Sequence, residues 1–421
     1  MTEQNEIFAR KATQTHLNWR LVLACLLALA ASLPIAIISV GKLLLFVAVL
    51  GLISASILGG RRDHGWAAVL SVRVVLIALV VFAVSLVWTD ADSATALASL
   101  VKHGKLLVIV LLVGLIQTRR EAQIALMAFA LGQCLLLLVS WALTAGLVPP
   151  FLPPYFGRGV VFSSYLDQGI IFATTAAILW HLQPLRSPNL LWPRSLAAVF
   201  VILALSSVFL VLIGRTAFVI AIALLGLAAV WALPARMRLA TLLGLPLLAG
   251  AVLFLAQAHL PSRVSQVISE SKSYSQKADT STSSGWRLNA WQRSAEAIAE
   301  APWVGHGVGA WTVTVKRLQG LKGAEVFGAG LLSNPHQEFL LWGAELGLGG
   351  IFLLLLLHIA LARDFAGFEQ PVARAGISVV VAMGVACLFN STLYDGLIGD
   401  YFCIVLGLLL ALGLRTKEAH G

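Results

Sequence analysis

The side chains in this sequence that could do chemistry are one histidine, a few arginines and lysines, and one pair of carboxylates. His336 lies in Asn334-Pro335-His336-Gln337-Glu338, at the end of the longest polar stretch of the chain and just before a new apolar run. An imidazole in such a place can take up a proton near neutral pH. Arg215, in Gly214-Arg215-Thr216, sits in a tight turn between two apolar runs. Arg287 opens an amphipathic stretch, Ser284-Gly285-Trp286-Arg287-Leu288-Asn289-Ala290-Trp291, and shares a helical face with Trp291 by its i,i+4 spacing. Arg158 follows the proline-rich stretch Pro149-Pro150-Phe151-Leu152-Pro153-Pro154, and Lys102, His103 and Lys105 lie close together early in another apolar run. A guanidinium is always charged and presents a bidentate donor fork suited to phosphate. These residue types describe a base beside an anion site.

Each also has an ordinary reading. Arg215 and the two lysines could snorkel to a membrane surface, Arg287 could belong to a solvated helix face, and Arg158 could be a loop charge near lipid headgroups. In the His336 motif, Asn334 is expected to cap a helix, with Pro335 at its first position and Glu338 in its first turn, where the dipole favours a carboxylate. Capping leaves His336 without a structural reason. A positive helix end and nearby arginines would lower its pKa and keep it neutral at pH 7. His306, in Gly305-His306-Gly307-Val308-Gly309, reads as a structural loop histidine, and the glycine pattern follows no strand, so it is not a nucleotide loop. Asp90-Ala91-Asp92 could hold a divalent cation with a phosphate, but capping of the helix that follows explains it better. The sequence has no Cys/His zinc spacing, no P-loop and no nucleophile elbow.

The elements that must position these residues are membrane helices. Of 421 residues, 59% are hydrophobic and 11% charged, against roughly 25% charged in soluble domains. Twelve apolar runs are long enough to cross a bilayer, roughly at 21–40, 43–59, 66–88, 97–117, 122–146, 165–183, 195–213, 216–233, 239–258, 337–360, 375–392 and 399–414. The first run continues past its small-x-small site and is expected to be an anchor rather than a cleaved signal. Arg10, Lys11 and Arg20 precede that run. Arg61/Arg62, Arg119/Arg120, Arg186/Arg194, Arg236/Arg238, Arg363/Arg374 and Arg415/Lys417 then fall in every second connection. The positive-inside rule puts both termini in the cytoplasm. The net charge of +10 is thus mostly topology and calls for no nucleic acid. Cys25, Cys134, Cys387 and Cys403 all fall inside spans, so no disulfide framework is indicated.

The expected organisation is nine spans over 1–258, an external loop domain over 259–336, and three spans over 337–421. The loop domain should hold two amphipathic helices, near 262–276 and 284–300, followed by a glycine-rich loop. Its Lys/Arg residues and Trp286, Trp291, Trp303 and Trp311 suit a segment lying on a membrane surface.

In this order, Gly-Arg-Thr at 214–216, Arg-x-x-x-Trp at 287–291, Gly-His-Gly-Val-Gly at 305–309, Asn-Pro-His at 334–336 and Glu-Leu-Gly-Leu-Gly-Gly at 345–350, the chain resembles the O-antigen ligase family, within the Wzy-type polymerase and ligase superfamily. The span layout agrees over the whole chain, and the motifs occupy mainly 214–350. The resemblance implies an all-α polytopic fold similar to the GT-C glycosyltransferases, in the bacterial inner membrane, with the site on the periplasmic face. It implies transfer of O-antigen polysaccharide from undecaprenyl pyrophosphate to lipid A–core oligosaccharide. His336 matches the family's essential histidine, and Arg215 and Arg287 match its functional arginines, which would hold the pyrophosphate. Arg158 is a third candidate for holding the pyrophosphate, and Lys102 and Lys105 are further anion-contact candidates. The Asp-x-Asp is not part of the family pattern, which implies a mechanism without metal or other cofactor. An O-antigen polymerase and a protein O-oligosaccharyltransferase are the neighbouring alternatives; the latter usually carries a larger C-terminal external domain. A transporter fits less well, because the distinctive polar residues cluster towards one face rather than the midplane.

Overall fold

The computed structural model describes residues 19–59, 69–153, 156–183, 194–212, 214–234, 236–238, 240, 262–277, 282–320 and 334–418. They form helices and connecting turns, with no strand among the described residues. In chain order the helices are α1 (Trp19–Ala30), α2 (Ile35–Gly59), α3 (Leu70–Val84), α4 (Ser93–His103), α5 (Leu107–Leu115), α6 (Arg119–Thr144), α7 (Tyr165–Leu182), α8 (Arg194–Ser206) and α9 (Arg215–Ala232). Then come α10 (Ser262–Lys277), α11 (Ser283–Glu300), α12 (Trp311–Leu318), α13 (Glu338–Ala366), α14 (Gln370–Phe389) and α15 (Gly396–Glu418). Seven of the described helical stretches are long and apolar enough to cross a bilayer, and shorter apolar helices accompany them. The chain is a multi-pass membrane protein. The expected span at 239–258 lies outside the described residues apart from Ala240, as do Arg10, Lys11, Arg61, Arg62 and Arg186.

α15 is the axis of the bundle. Its apolar window is 94% buried, far more than that of any other span among the described residues, as expected for a helix apolar on every side. Tyr401, in its second turn, meets the Thr175 hydroxyl at 2.9 Å. Lys42 of α2 donates to both Asp400 carboxylate oxygens at 2.8 Å.

That ion pair corrects the expected boundary between the first two runs. The sequence reading puts a turn at 41–42, but Lys42 lies inside α2, and its charge is there to meet Asp400. The break falls at 31–34 instead. Pro34 has no N–H to continue α1, and its carbonyl opens α2 by accepting from Ile37 and Ile38. α1, at 12 residues, is only ~18 Å long.

One face of the bundle is tied by charged groups at helix ends. Asp364, near the end of α13, accepts the first N–H groups of α3, from Leu70 (3.2 Å) and Ser71 (2.7 Å). Arg119 pairs with Glu369 at 3.3 Å, and Arg415 donates to Ile116 O at 3.0 Å. Thr118 and Glu121 cap α6 reciprocally. The opposite face carries the 88–93, 144–153, 156–164, 214–215 and 390–395 connections, together with α10, α11 and α12.

The largest departure from the sequence reading is α13. Its apolar run reads as one span at 337–360. Gly347 has φ 67° and ψ −158°, outside the helical region, and the chain folds back there. The Phe339 and His358 rings stack with centroids 6.0 Å apart, where a straight helix would separate residues 19 positions apart by ~28 Å. A Cβ on Gly350 would run into Trp342 O. Segment 348–366 is the span, and 338–346 packs beside it in the reverse direction. The backbone groups freed at the break are taken up by the 301–309 loop. His306 N–H donates to Ala344 O (2.9 Å), Gly307 N–H to Glu345 O (2.8 Å), and Leu348 N–H to Pro302 O (2.7 Å).

Candidate active site

The fold-back moves His336. The sequence reading leaves it at the membrane surface. In the structure, the 334–338 turn lies about 15 Å along segment 348–366 from its Leu348 end, by the pairing of Phe339 with His358. It is recessed among helix ends rather than lying on top of them.

Every residue around His336 is fixed. Asn334 is buried; its Oδ1 accepts the His336 N–H at 2.9 Å, and its Nδ2 donates to Asp395 Oδ1 at 3.1 Å. Pro335 O accepts from Trp291 Nε1 at 3.1 Å. Gln337 N–H donates to Ser391 Oγ at 3.2 Å. Gln337, not Asn334, is the N-cap of α13, with its side-chain oxygen on Leu340 N–H. The helix starts later than the Asn-Pro pair predicts because Asn334 is already committed to the turn and to Asp395. Glu338 is wholly buried, and its role exceeds a dipole contact. It accepts from Trp342 Nε1 at 2.8 Å, Leu393 N–H at 2.9 Å and Tyr394 N–H at 3.3 Å, and so joins this turn to the 391–395 turn. These anchors hold His336 at φ 50°, the one non-glycine residue with positive φ among the described residues. A left-handed conformation costs an L-residue roughly 1–2 kcal/mol, which the surrounding bonds offset.

The His336 ring meets the edge of Trp286, with centroids 5.0 Å apart. Burial, and then the neighbouring Arg287 charge, push its pKa down to about 4, so the imidazole is neutral at pH 7. Among the described residues, its ring nitrogens carry no hydrogen bond. Arg287 reaches this place from the first turns of α11, which Thr282 caps on Gly285 N–H at 3.0 Å. Its guanidinium lies over the Trp286 ring, 5.4 Å from the centroid, and its buried Nε has no acceptor among the described residues. Burial also lowers the Arg287 pKa. Arg215, the first residue of α9, points at the same helix. Its Nη1 lies 3.4 Å from Ser284 Oγ and 3.8 Å from Glu270 Oε2. His336, Arg287 and Arg215, separated by 121 positions of sequence, form one cluster.

The other candidates have other partners. Arg158 is exposed and donates to Thr144 O at the end of α6, at 3.2 Å from Nε and 2.7 Å from Nη2. Lys105 is buried and donates to the carbonyls of Tyr394 (3.0 Å) and Asp395 (2.5 Å). Lys102 Nζ stands 4.3 Å over the Tyr394 ring. Both lysines thus hold the 391–395 turn. His103 stacks on Phe82 and meets Glu345 at 2.8 Å in the interior. Asp92 caps α4 on Ala94 and Thr95 N–H. Asp90 meets His306 Nδ1 at 3.0 Å, and His306 Nε2 meets Ala297 O at 3.0 Å.

The expected loop helices stand at α10 and α11, and α12 replaces part of the expected glycine-rich loop. Trp286 and Trp291 face the 334–337 turn, Trp311 is buried, and Trp303 alone of the four is exposed. The tryptophans therefore pack α11 onto the bundle more than they anchor it in lipid. Sequence reasoning missed Glu270, Ser284 and Asp395. Asp395 gave a legible sign, an acid just before the start of a span. Burial, with Asp167 nearby, pushes its pKa up to about 6.

Among the described residues, a neutral imidazole with unbonded ring nitrogens lies beside the Arg287 guanidinium, and Arg215 reaches the same helix α11. This defines the class, a polytopic helical membrane protein with a cluster of one histidine and two arginines on one face. Residues 198–355 match the family model Wzy_C, described as O-antigen ligase, and Arg215, Arg287 and His336 all fall inside that segment. The segment is an O-antigen ligase-type domain within a multi-pass membrane protein. None of the curated proteins matches the chain. A chain from a solved structure described as "Structural coordination of polymerization and crosslinking by a peptidoglycan synthase complex" is similar at 19% identity and a TM-score of 0.43. The likeness covers 83% of this chain and 98% of that one; at that distance it bears on neither substrate nor mechanism.

Proposed function

We propose that the protein is an O-antigen ligase of the bacterial inner membrane, with both termini cytoplasmic and its site open to the periplasm. It transfers O-antigen polysaccharide from undecaprenyl pyrophosphate to lipid A–core oligosaccharide. The observation that carries this reading is the meeting of His336, Arg287 and Arg215 inside the segment that matches the ligase family.

The donor is a membrane diphosphate, so its site must hold several negative charges beside lipid. Arg215 and Arg287 bind the diphosphate and stabilise the charge that moves onto it as the sugar–phosphate bond breaks. His336 takes the proton of the acceptor hydroxyl as that oxygen attacks the anomeric carbon. Attack opposite the leaving diphosphate inverts the anomeric centre. In the free protein, the Arg287 charge weakens His336 as a base. A diphosphate on Arg287 offsets that charge and raises the basicity of His336, so the base is strongest when the donor is in place. Asn334, Trp291 and Glu338 hold the turn that presents it. The reaction runs without metal.

Purified protein, lipid-linked O-antigen and lipid A–core should yield a ladder of ligated lipopolysaccharide without ATP and in excess chelator. Elongation of lipid-linked glycan with lipid A–core left untouched would make the protein a polymerase instead.

A further inference from the structure

Glu270, on α10, already occupies part of the cluster. Its Oε2 accepts the Ser284 N–H at 3.1 Å and lies 3.8 Å from Arg215 Nη1. The Glu270 charge is also felt by Arg287. Ser284 is the second residue of α11, one turn before Arg287, so one carboxylate oxygen sits where a helix-start amide and a guanidinium converge. Those donors suit a phosphate oxygen equally well. Arg215 and Arg287 lie close enough to oppose each other's charge, and an acid that pairs with Arg215 and is felt by Arg287 relieves that repulsion while no ligand is bound. The contact is weak enough to exchange. The Arg215 side chain is 37% exposed and the Glu270 side chain 19%, and a second tie between α10 and α11, Tyr274 to Gln292 at 3.0 Å, is exposed and neutral.

We propose that the Glu270 carboxylate is a built-in occupant of the diphosphate position, and that the incoming donor must displace it, releasing α10 from α11. This rests on the anion role proposed for Arg215 and Arg287. A diphosphate carries more charge than a carboxylate and can engage both arginines, so it wins the exchange, at the expense of some affinity.

The test titrates the detergent-purified full-length protein with inorganic pyrophosphate by calorimetry. Glu270→Gln keeps an oxygen for the Ser284 N–H and removes the charge; Glu270→Ala removes both. Both variants should bind pyrophosphate about fivefold more tightly than wild type, the scale of a partly exposed ion pair. Unchanged or weaker binding by both overturns the proposal. Spin labels at Ser275 and Ala295, exposed positions on α10 and α11, give a second readout. Pyrophosphate should broaden their distance distribution in wild type, and Glu270→Ala, which has no oxygen for the Ser284 N–H, should show the broad distribution before any ligand is added. A distribution that pyrophosphate leaves unchanged in wild type overturns the displacement. If Arg215→Ala and Arg287→Ala bind pyrophosphate as wild type does, the anion site itself is misplaced, which is a different failure from an inert Glu270.

Discussion

The 305–309 loop and the 334–338 turn make a useful pair. Each carries a histidine, each bends the backbone through positive φ, and each packs on the same broken helix, α13. In the first, the bends fall on Gly305, Gly307 and Gly309, with φ of 64°, 84° and 80°. His306 spends both ring nitrogens, on Asp90 and on Ala297 O. In the second, the bend falls on the histidine itself, at φ 50°, and its ring is left to an aromatic edge and an arginine. A satisfied ring holds structure. An unsatisfied ring, held in a costly conformation by its neighbours, has its reactivity free. Hydrogen-bond capacity separates the two histidines where residue type does not.

The largest effect that bears on this contrast is on turnover. His336→Ala should lower kcat by on the order of a thousandfold, as for loss of a general base, while the protein stays folded. His306→Ala should leave turnover per folded molecule nearly intact and lower stability by about 1–3 kcal/mol, through the unpaired Asp90 and Ala297 groups. Equal losses of turnover would erase the distinction. Gly307→Ala tests the clamp, because its Cβ would overlap Thr89 Cα on a backbone that glycine alone tolerates. A stability loss of about 3 kcal/mol or more is expected in thermal unfolding. At position 336 the usual order reverses, and His336→Gly should be more stable than His336→Ala by about 1 kcal/mol, since glycine carries no penalty at positive φ.

Arg215→Ala should raise the KM for the lipid-linked donor about tenfold, the scale of one charge-assisted hydrogen bond, with the KM for lipid A–core unchanged. An unaltered donor KM would return Arg215 to the role of an interfacial cation. The smallest effect is on stability against pH. The folded-state pKa of His336, about 4, lies below its ordinary value of 6.5. Its contribution to stability is therefore fully present above about pH 6.5 and is lost as pH falls through about 4. Between those limits, the melting temperature should fall further in wild type than in His336→Gln. Equal slopes would mean that the ring is not held neutral by burial.

Much of the scaffold is legible in the residues alone. Apolar runs locate most of the helices, because a bilayer core demands long apolar stretches. Alternating arginines assign sides, and that puts Arg215, Arg287 and His336 on one face. α10 and α11 fall within two residues of the amphipathic stretches. The Gly347 reversal is not legible. Residues 338–366 keep one apolar pattern through the break, and hydropathy is blind to a fold-back. Only the glycines at 347, 349 and 350 mark it. Lys42 reads as a turn residue because its partner, Asp400, is 358 positions away. Glu270 looks like one more charge on a polar helix.

The sequence by itself pointed to a membrane bundle with His336, Arg215 and Arg287 on the side opposite most of the basic residues, since length, hydropathy and charge bias act locally along the chain. It also supplied the histidine and the arginines. The tertiary structure decided how deep His336 lies, that Gln337 rather than Asn334 starts its helix, that Lys105 serves the backbone, and that Glu270 reaches Arg215. Each of these depends on a partner distant in sequence, and hydrogen-bond saturation, burial and charge pairing are properties of such partners rather than of the residue alone.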